Sequence, residues 1–366
     1  MTDPGSAAAD RGLDARAALL ADRCIGENLD QLATIDMRGD GMGRLLFRAA
    51  RALSEEPLSL AAARALRSKL RRGDRVLLLT GFLGPWPLPE TDGLSGSAIL
   101  ALALERATGV LPVFACEAEV RPPLMAALRG AGLNVCQDLE QASLLPHAAL
   151  VMDFPLEREM AERTATDLAA RLRPAACIAV ERPGANLQGQ YHLALGQNVS
   201  ELIAPVDVLY RRLADQGVLT AAIGDFGNEL GMGAIGEVVR AETPAGADCG
   251  CGCGGGTACM TPADLTVVAS TSDWGAYAVA ACLAHLERNP SVLIGADAYR
   301  RVLEDAVRAG AVDGPTRYAE PRIDGVDAGY SSRLLELMRE AVLYPDKPSA
   351  DGAIRRYRAR RSVALP

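Results

Sequence analysis

Short apolar runs alternate with longer amphipathic stretches along most of this chain, and that rhythm sets the expected fold. Runs at residues 75–80, 110–115, 148–153, 176–181, 220–224 and 263–270 are short and bounded by polar or Gly-rich turns, as buried strands are. Between them, residues 93–107, 121–131, 156–172, 200–216, 228–240 and 274–288 carry helical spacing of apolar positions. Strands regularly separated by helices predict an α/β fold, a largely parallel sheet with helices on both faces. Two further helices, at 297–309 and 330–343, close the pattern. Ahead of the first strand, residues 14–24, 43–53 and 57–70 read as helices, with Pro57 suited to a first turn. The expected layout is a disordered start over 1–12, an α-helical region over 13–72, an α/β domain over 73–345 and a tail over 346–366. Within the helical region, Ile35 to Gly43 is a polar Gly-rich loop and reads as a helix–helix connection rather than a binding loop.

Composition narrows the partners. The chain has 366 residues, 49% hydrophobic and 23% charged, with no apolar run of the ~20 residues that span a bilayer. A formal charge of −8 without a basic cluster argues against nucleic acid and anionic membrane surfaces. A small-molecule ligand fits better, and a homo-oligomer is compatible with these features. Asp3, Asp10 and Asp14 interrupt any leader-like N-terminus, so a cytoplasmic location with reduced thiols is expected.

Candidate chemistry gathers where strands end, the side on which α/β proteins bind ligands. Gly224-Asp225-Phe226-Gly227-Asn228-Glu229-Leu230-Gly231-Met232-Gly233 follows one strand. Asp225 and Glu229, four apart, share one side if a helix starts early, with Asn228 as a cap or a ligand oxygen. This is neither a dinucleotide fingerprint nor a phosphate loop with a terminal Lys-Ser/Thr, so a hard cation or polar substrate is the better inference. A tight strand–helix turn is the simpler alternative. After the first strand, three prolines stiffen a loop carrying Glu90 and Asp92, where Thr91 or Asp92 can cap the next helix. Glu181-Arg182-Pro183-Gly184 ends another strand, either as a solvated ion-paired turn or as a carboxylate positioned to share a cation, or to form an acid/base pair, with Asp225. Ser272 or Asp273 suits a helix cap, while Trp274 and Tyr277 could wall a pocket. Cys249, Cys251, Cys253 and Cys259 lie in a Gly-rich insertion over 244–262. Zinc or an iron–sulfur cluster is one reading of these thiols, although the spacing is not that of paired Cys-x-x-Cys; a flexible lid is the other. His192 is a weak candidate because it lies near the Glu181 turn.

These loops, taken together and in order, resemble the D-glutamate cyclase family. The resemblance rests on Thr80-Gly81-Phe82, Glu90-Thr91-Asp92-Gly93, Glu181-Arg182-Pro183-Gly184, the run from Gly224 to Gly233, Ser272 to Tyr277, and Ile323-Asp324-Gly325. It covers about residues 30–345, and Asn-Glu-Leu-Gly-Met-Gly is its most specific element. It implies cyclisation of D-glutamate to 5-oxo-D-proline with loss of water, assisted by Mn2+ or Mg2+. On that reading Glu90, Asp92, Asp225 and Glu229 hold the cation, and Glu181, Asp225 and Glu229 are catalytic. Thr80, Gly81, Arg182, Asn228, Trp274 and Tyr277 contact substrate, with Arg182 on a carboxylate and the two aromatics excluding water. Phe226 and Asp273 depart from a pattern that commonly has glycine and asparagine there, which bears on substrate. Two alternatives remain, a metal-dependent phosphoesterase and a non-catalytic metal- or amino-acid-binding protein.

Overall fold

The computed structural model describes residues 4–344. Three helices, α1 (Pro4–Ala33), α2 (Met42–Ala52) and α3 (Leu58–Lys69), precede β1 (Arg75–Thr80). Then come α4 (Leu94–Thr108), β2 (Leu111–Cys116), α5 (Arg121–Ala131), β3 (Asn134–Cys136), α6 (Leu139–Leu144), β4 (Ala148–Asp153), α7 (Arg158–Leu172) and β5 (Ala176–Val180). The chain continues through α8 (Asp207–Asp215), β6 (Leu219–Gly224), α9 (Gly236–Glu242), β7 (Leu265–Val268), α10 (Ser272–Glu287) and α11 (Ala296–Arg308). A hairpin of β8 (Arg322–Ile323) and β9 (Val326–Asp327) leads into α12 (Ala328–Leu343).

Seven strands form one sheet in the order β3-β4-β2-β1-β5-β6-β7, every pairing parallel. The α/β expectation is therefore met. Successive residues of β1 serve opposite faces, as a two-residue period requires. Val76 and Leu78 join the large core shared with α4, α5 and α10, whereas Leu77 and Leu79 join the smaller core under α7 and α8. Buried leucines of the N-terminal helices, among them Leu29, Leu46, Leu60 and Leu66, belong to the same large core.

Several local expectations change. Helix α1 begins at Pro4, inside the stretch expected to be a disordered start, while residues 1–3 and the 346–366 tail lie outside the described residues. Strand β3 is short and partly exposed, which hid it from an apolar-run reading. No helix starts at 228. Gly231 and Met232 bridge to Pro262, and the chain becomes α-helical only at Gly236. No helix among the described residues is long and apolar enough to cross a membrane.

Strand order reverses at β1, whose neighbours β2 and β5 carry the chain to opposite halves of the sheet. Such a switch point opens a crevice outside the carboxyl ends of the strands. The loops after β1, β5, β6 and β7 meet there.

Candidate active site

A cavity of about 460 Å³ occupies that crevice. Glu90, Glu181, Asp225, Asp324, Asn228, Arg38 and Arg317 supply its polar lining, and Phe82, Leu193, Leu195, Phe226 and Pro315 its apolar walls.

Glu181 is the first residue past β5 and takes a left-handed backbone with φ 42. A non-Gly residue there is strained by roughly 1–3 kcal/mol and persists only where its surroundings hold it. Its N–H donates to Ile223 O at 3.1 Å, and the Ser272 hydroxyl donates to its Oε2 at 2.5 Å. Gly93 leaves room for it, since a Cβ at that position would sit 2.5 Å from Glu181 Cβ. Burial, then the Glu229, Asp92 and Glu90 carboxylates, hold the Glu181 carboxyl well above the usual range.

Glu229 reaches the site by a tight loop, not by standing one turn along a helix from Asp225. Its Oε1 accepts from the N–H groups of Asp225 (2.9 Å) and Phe226 (2.8 Å), and its Oε2 from Gly227 (2.6 Å). The carboxylate thereby folds its own turn and stands behind the cavity lining. Asp92 also stands in this second row. It accepts from the first N–H groups of α10, Ser272 at 2.9 Å and Asp273 at 2.8 Å. Asp273 returns the contact at the start of α4, accepting from Gly93 at 3.0 Å, Gly96 at 2.6 Å and the Ser95 hydroxyl. Each helix thus has its unpaired N-terminal donors met by an acid belonging to the other.

Five expected substrate contacts lie elsewhere. Arg182 is fully buried and forked onto Glu117, with both bonds at 2.6 Å, and it also donates to Gly81 O and Ala204 O. Its charge is committed inside the protein, so it does not face the cavity. Trp274 and Tyr277 pack in the core, where Trp274 donates to Ser331 and Tyr277 to Ile294 O. Thr80 and Gly81 lie behind Phe82, which is the residue of that loop that reaches the cavity. Asn228 does line the cavity. Its Nδ2 donates to His192 O at 3.0 Å, while its buried Oδ1 has no hydrogen-bond partner among the described residues.

Three lining residues were missed as ligand contacts. Arg38, in the loop read as a plain connection, donates to Asp225 Oδ2 (3.1 Å), Ser270 O (2.8 Å) and Asp324 Oδ2 (3.5 Å). Its guanidinium lies 4.3 Å from the Phe226 ring centroid, a cation–π distance. Asp36 shapes that loop by accepting from Gly39 and Gly41, which hold its carboxyl below the usual range. Arg317 presents a buried Nη1 without a hydrogen-bond partner among the described residues. Asp324 enters from the β8–β9 turn. The Gly/Asp-rich texture around Arg38 was a usable signal for it; Arg317 had none.

Oxygens of Asp92, Asp225 and Asp324 lie within 4.8 Å of one another, as do those of Glu181, Asp225 and Glu229. Burial raises the Glu90, Asp92, Asp225 and Asp324 carboxyls above their ordinary range, with neighbouring acids adding to it; Arg38 works against this at Asp225 and Asp324, and Arg317 at Glu90. Buried, mutually repelling oxygen donors fit a hard divalent cation. At the Cys-rich insertion, Cys249, Cys251 and Cys253 converge, but Cys259 is buried apart from them, against Gly184 and Thr261.

The fold and site define an α/β protein with an acidic small-molecule pocket at its strand switch point. The chain belongs to the family described as D-glutamate cyclase-like, C-terminal, whose model matches residues 29–339. It is similar to human "D-glutamate cyclase, mitochondrial", with 28% identity over 262 residues. That match covers 70% of this chain but 38% of the human protein, so the chain corresponds to well under half of that relative's length.

Proposed function

We propose that this protein is a cyclase acting on a small acidic amino acid, D-glutamate or a close analogue, to give 5-oxo-D-proline and water with a divalent cation. Family membership supports a cyclase-like activity. The observation that carries the reading further is the meeting, in one cavity, of the Arg317 guanidinium, the unpartnered Asn228 Oδ1 and the Glu181 carboxyl, which burial and the neighbouring acids hold well above the usual range.

Arg317 receives the α-carboxylate by charge-assisted hydrogen bonds. Asn228 Oδ1 accepts from the α-amine and orients its lone pair toward the γ-carboxyl carbon. The nitrogen bonds that carbon and a carbon–oxygen bond breaks. Glu181 takes protons from the nitrogen and delivers them to the departing oxygen, which leaves as water. A Mn2+ or Mg2+ ion held by Asp92, Asp225 and Asp324 would supply Lewis-acid polarisation of the γ-carboxyl group. Phe82, Leu193, Leu195 and Phe226 exclude bulk water, and Arg38 offsets charge on Asp225 and Asp324.

The test is incubation of purified protein with D- and L-glutamate, with and without Mn2+ or Mg2+, followed by chiral chromatography for 5-oxoproline. Cation-dependent lactam from D-glutamate, reduced at least about 100-fold by Glu181→Gln, is the expected result. Phosphate release from simple monoesters without lactam, or tight glutamate binding without turnover, would replace this reading with a phosphoesterase or a binding protein.

A further inference from the structure

We infer that His192, Cys249, Cys251 and Cys253 form a closed, structural zinc site that braces one wall of the cavity. Cys251 Sγ lies 3.1 Å from Cys249 Sγ and 3.3 Å from His192 Nε2. Cys253 Sγ lies 3.4 Å from Cys249 Sγ and 3.8 Å from His192 Nε2. Zn–S bonds of ~2.3 Å and Zn–N bonds of ~2.0 Å in a tetrahedron require donor separations of about 3.5–3.8 Å, close to these. The sulfur pairs are well outside the ~2.05 Å of a disulfide, so the thiols are free to ligate.

Local sequence explains the convergence. Gly250 and Gly252 separate the three cysteines and take positive φ, 70 and 90, in open space. The segment therefore curls and turns alternate side chains inward instead of running straight. Asn186 Nδ2 and Gly255 N–H donate to Cys253 Sγ at 3.5 and 3.4 Å, outer-sphere support of the kind that steadies a metal-bound thiolate. Three sulfurs and one imidazole suit zinc, not Mn2+ or Mg2+, which prefer oxygen. Four protein ligands leave no open position, which marks a structural rather than a catalytic ion.

The site ties the insertion to residues 192–198. That segment supplies Leu193, Ala194, Leu195 and Gln197 to the cavity, and the His192 carbonyl holds Asn228 Nδ2. Zinc on the His192 ring thereby fixes the backbone that aims Asn228. The proposal stands whatever reaction the cavity performs.

Elemental analysis of the full-length protein purified under reducing conditions, before and after replacement of its zinc by Co2+, tests it. We expect one zinc per chain and, with cobalt, thiolate-to-cobalt charge-transfer bands and strong tetrahedral d–d bands. Carboxylate-bound cobalt in the cavity gives no thiolate bands, so the two sites are told apart. Cys251→Ser and His192→Ala should lower zinc affinity at least about 10-fold. His192→Cys, which keeps four ligands, and Cys259→Ser should retain the metal. Absence of thiolate–cobalt bands in the wild type, iron with acid-labile sulfide, or dependence on Cys259 in place of His192 would overturn the assignment.

Discussion

Arg317 lines a cavity otherwise rich in carboxylates, whereas Arg182 is fully buried and commits both terminal nitrogens to Glu117, Gly81 and Ala204. The two arginines should therefore fail differently. In the proposed reaction Arg317 holds the substrate carboxylate, a charge-assisted contact of about 1.5–3 kcal/mol, so Arg317→Ala should raise KM at least about 10-fold while leaving the unfolding midpoint nearly unchanged. Arg182→Ala strands the buried Glu117 carboxylate and should destabilise the fold by about 3–5 kcal/mol in denaturant unfolding. Similar effects of both substitutions on KM, with equal stability, would contradict this division. Sequence made Arg182 conspicuous because it follows a strand beside Glu181. It could not reveal that Glu117, at the end of a different strand, claims the guanidinium. The placements of Glu181, Asp225 and Asn228 at the cavity were legible, because each leaves the carboxyl end of a parallel strand, where the fold must open.

At the scale of elements, acids at helix starts organise much of the molecule. Asp30, on α1, accepts from the Leu58 and Ser59 N–H groups at the start of α3, at 2.6 and 3.1 Å. Burial outweighs those hydrogen bonds and pushes its carboxyl from 3.8 to about 6. A folded-state value above the unfolded one favours the native state most below the unfolded value, and that contribution is lost as pH rises through about 6. Stability should fall by on the order of 2–3 kcal/mol across this window through Asp30. Urea unfolding at about pH 4.5 and about pH 8 should show a shallower decline for Asp30→Asn than for the wild type. An unchanged slope would remove Asp30 as a contributor. The sequence indicated most of the helices that these acids serve, through their apolar spacing. It misread the segment after Asn228, because Gly231 and Met232 pair with Pro262, a partner too distant in sequence for periodicity to register.

For the whole molecule, the cavity is an electrostatic burden as well as a site. Glu90, Glu181, Asp225 and Asp324 face a shared space with Arg38 and Arg317 as the lining cations. A divalent cation binding only the native state should stabilise it by mass action, by about 2.7 kcal/mol at a hundredfold excess over Kd. Thermal melts should therefore shift upward with Mn2+, and Asp225→Asn, at the residue common to both carboxylate groups, should abolish most of the shift. A full shift in that variant would place the cation elsewhere. The crossed caps carry a different consequence, one of timing. Asp92 and Asp273 bind each other's helix starts across 181 residues of chain. A contact so distant in sequence is closed late, after the intervening strands have been threaded into the sheet. During refolding, the Gly96 and Asp273 amides should gain protection from hydrogen exchange together and in the last phase. The nascent chain would thus close the crossed caps behind the cavity only once β7 has docked, so partly made protein would hold a sheet before it holds the completed cavity.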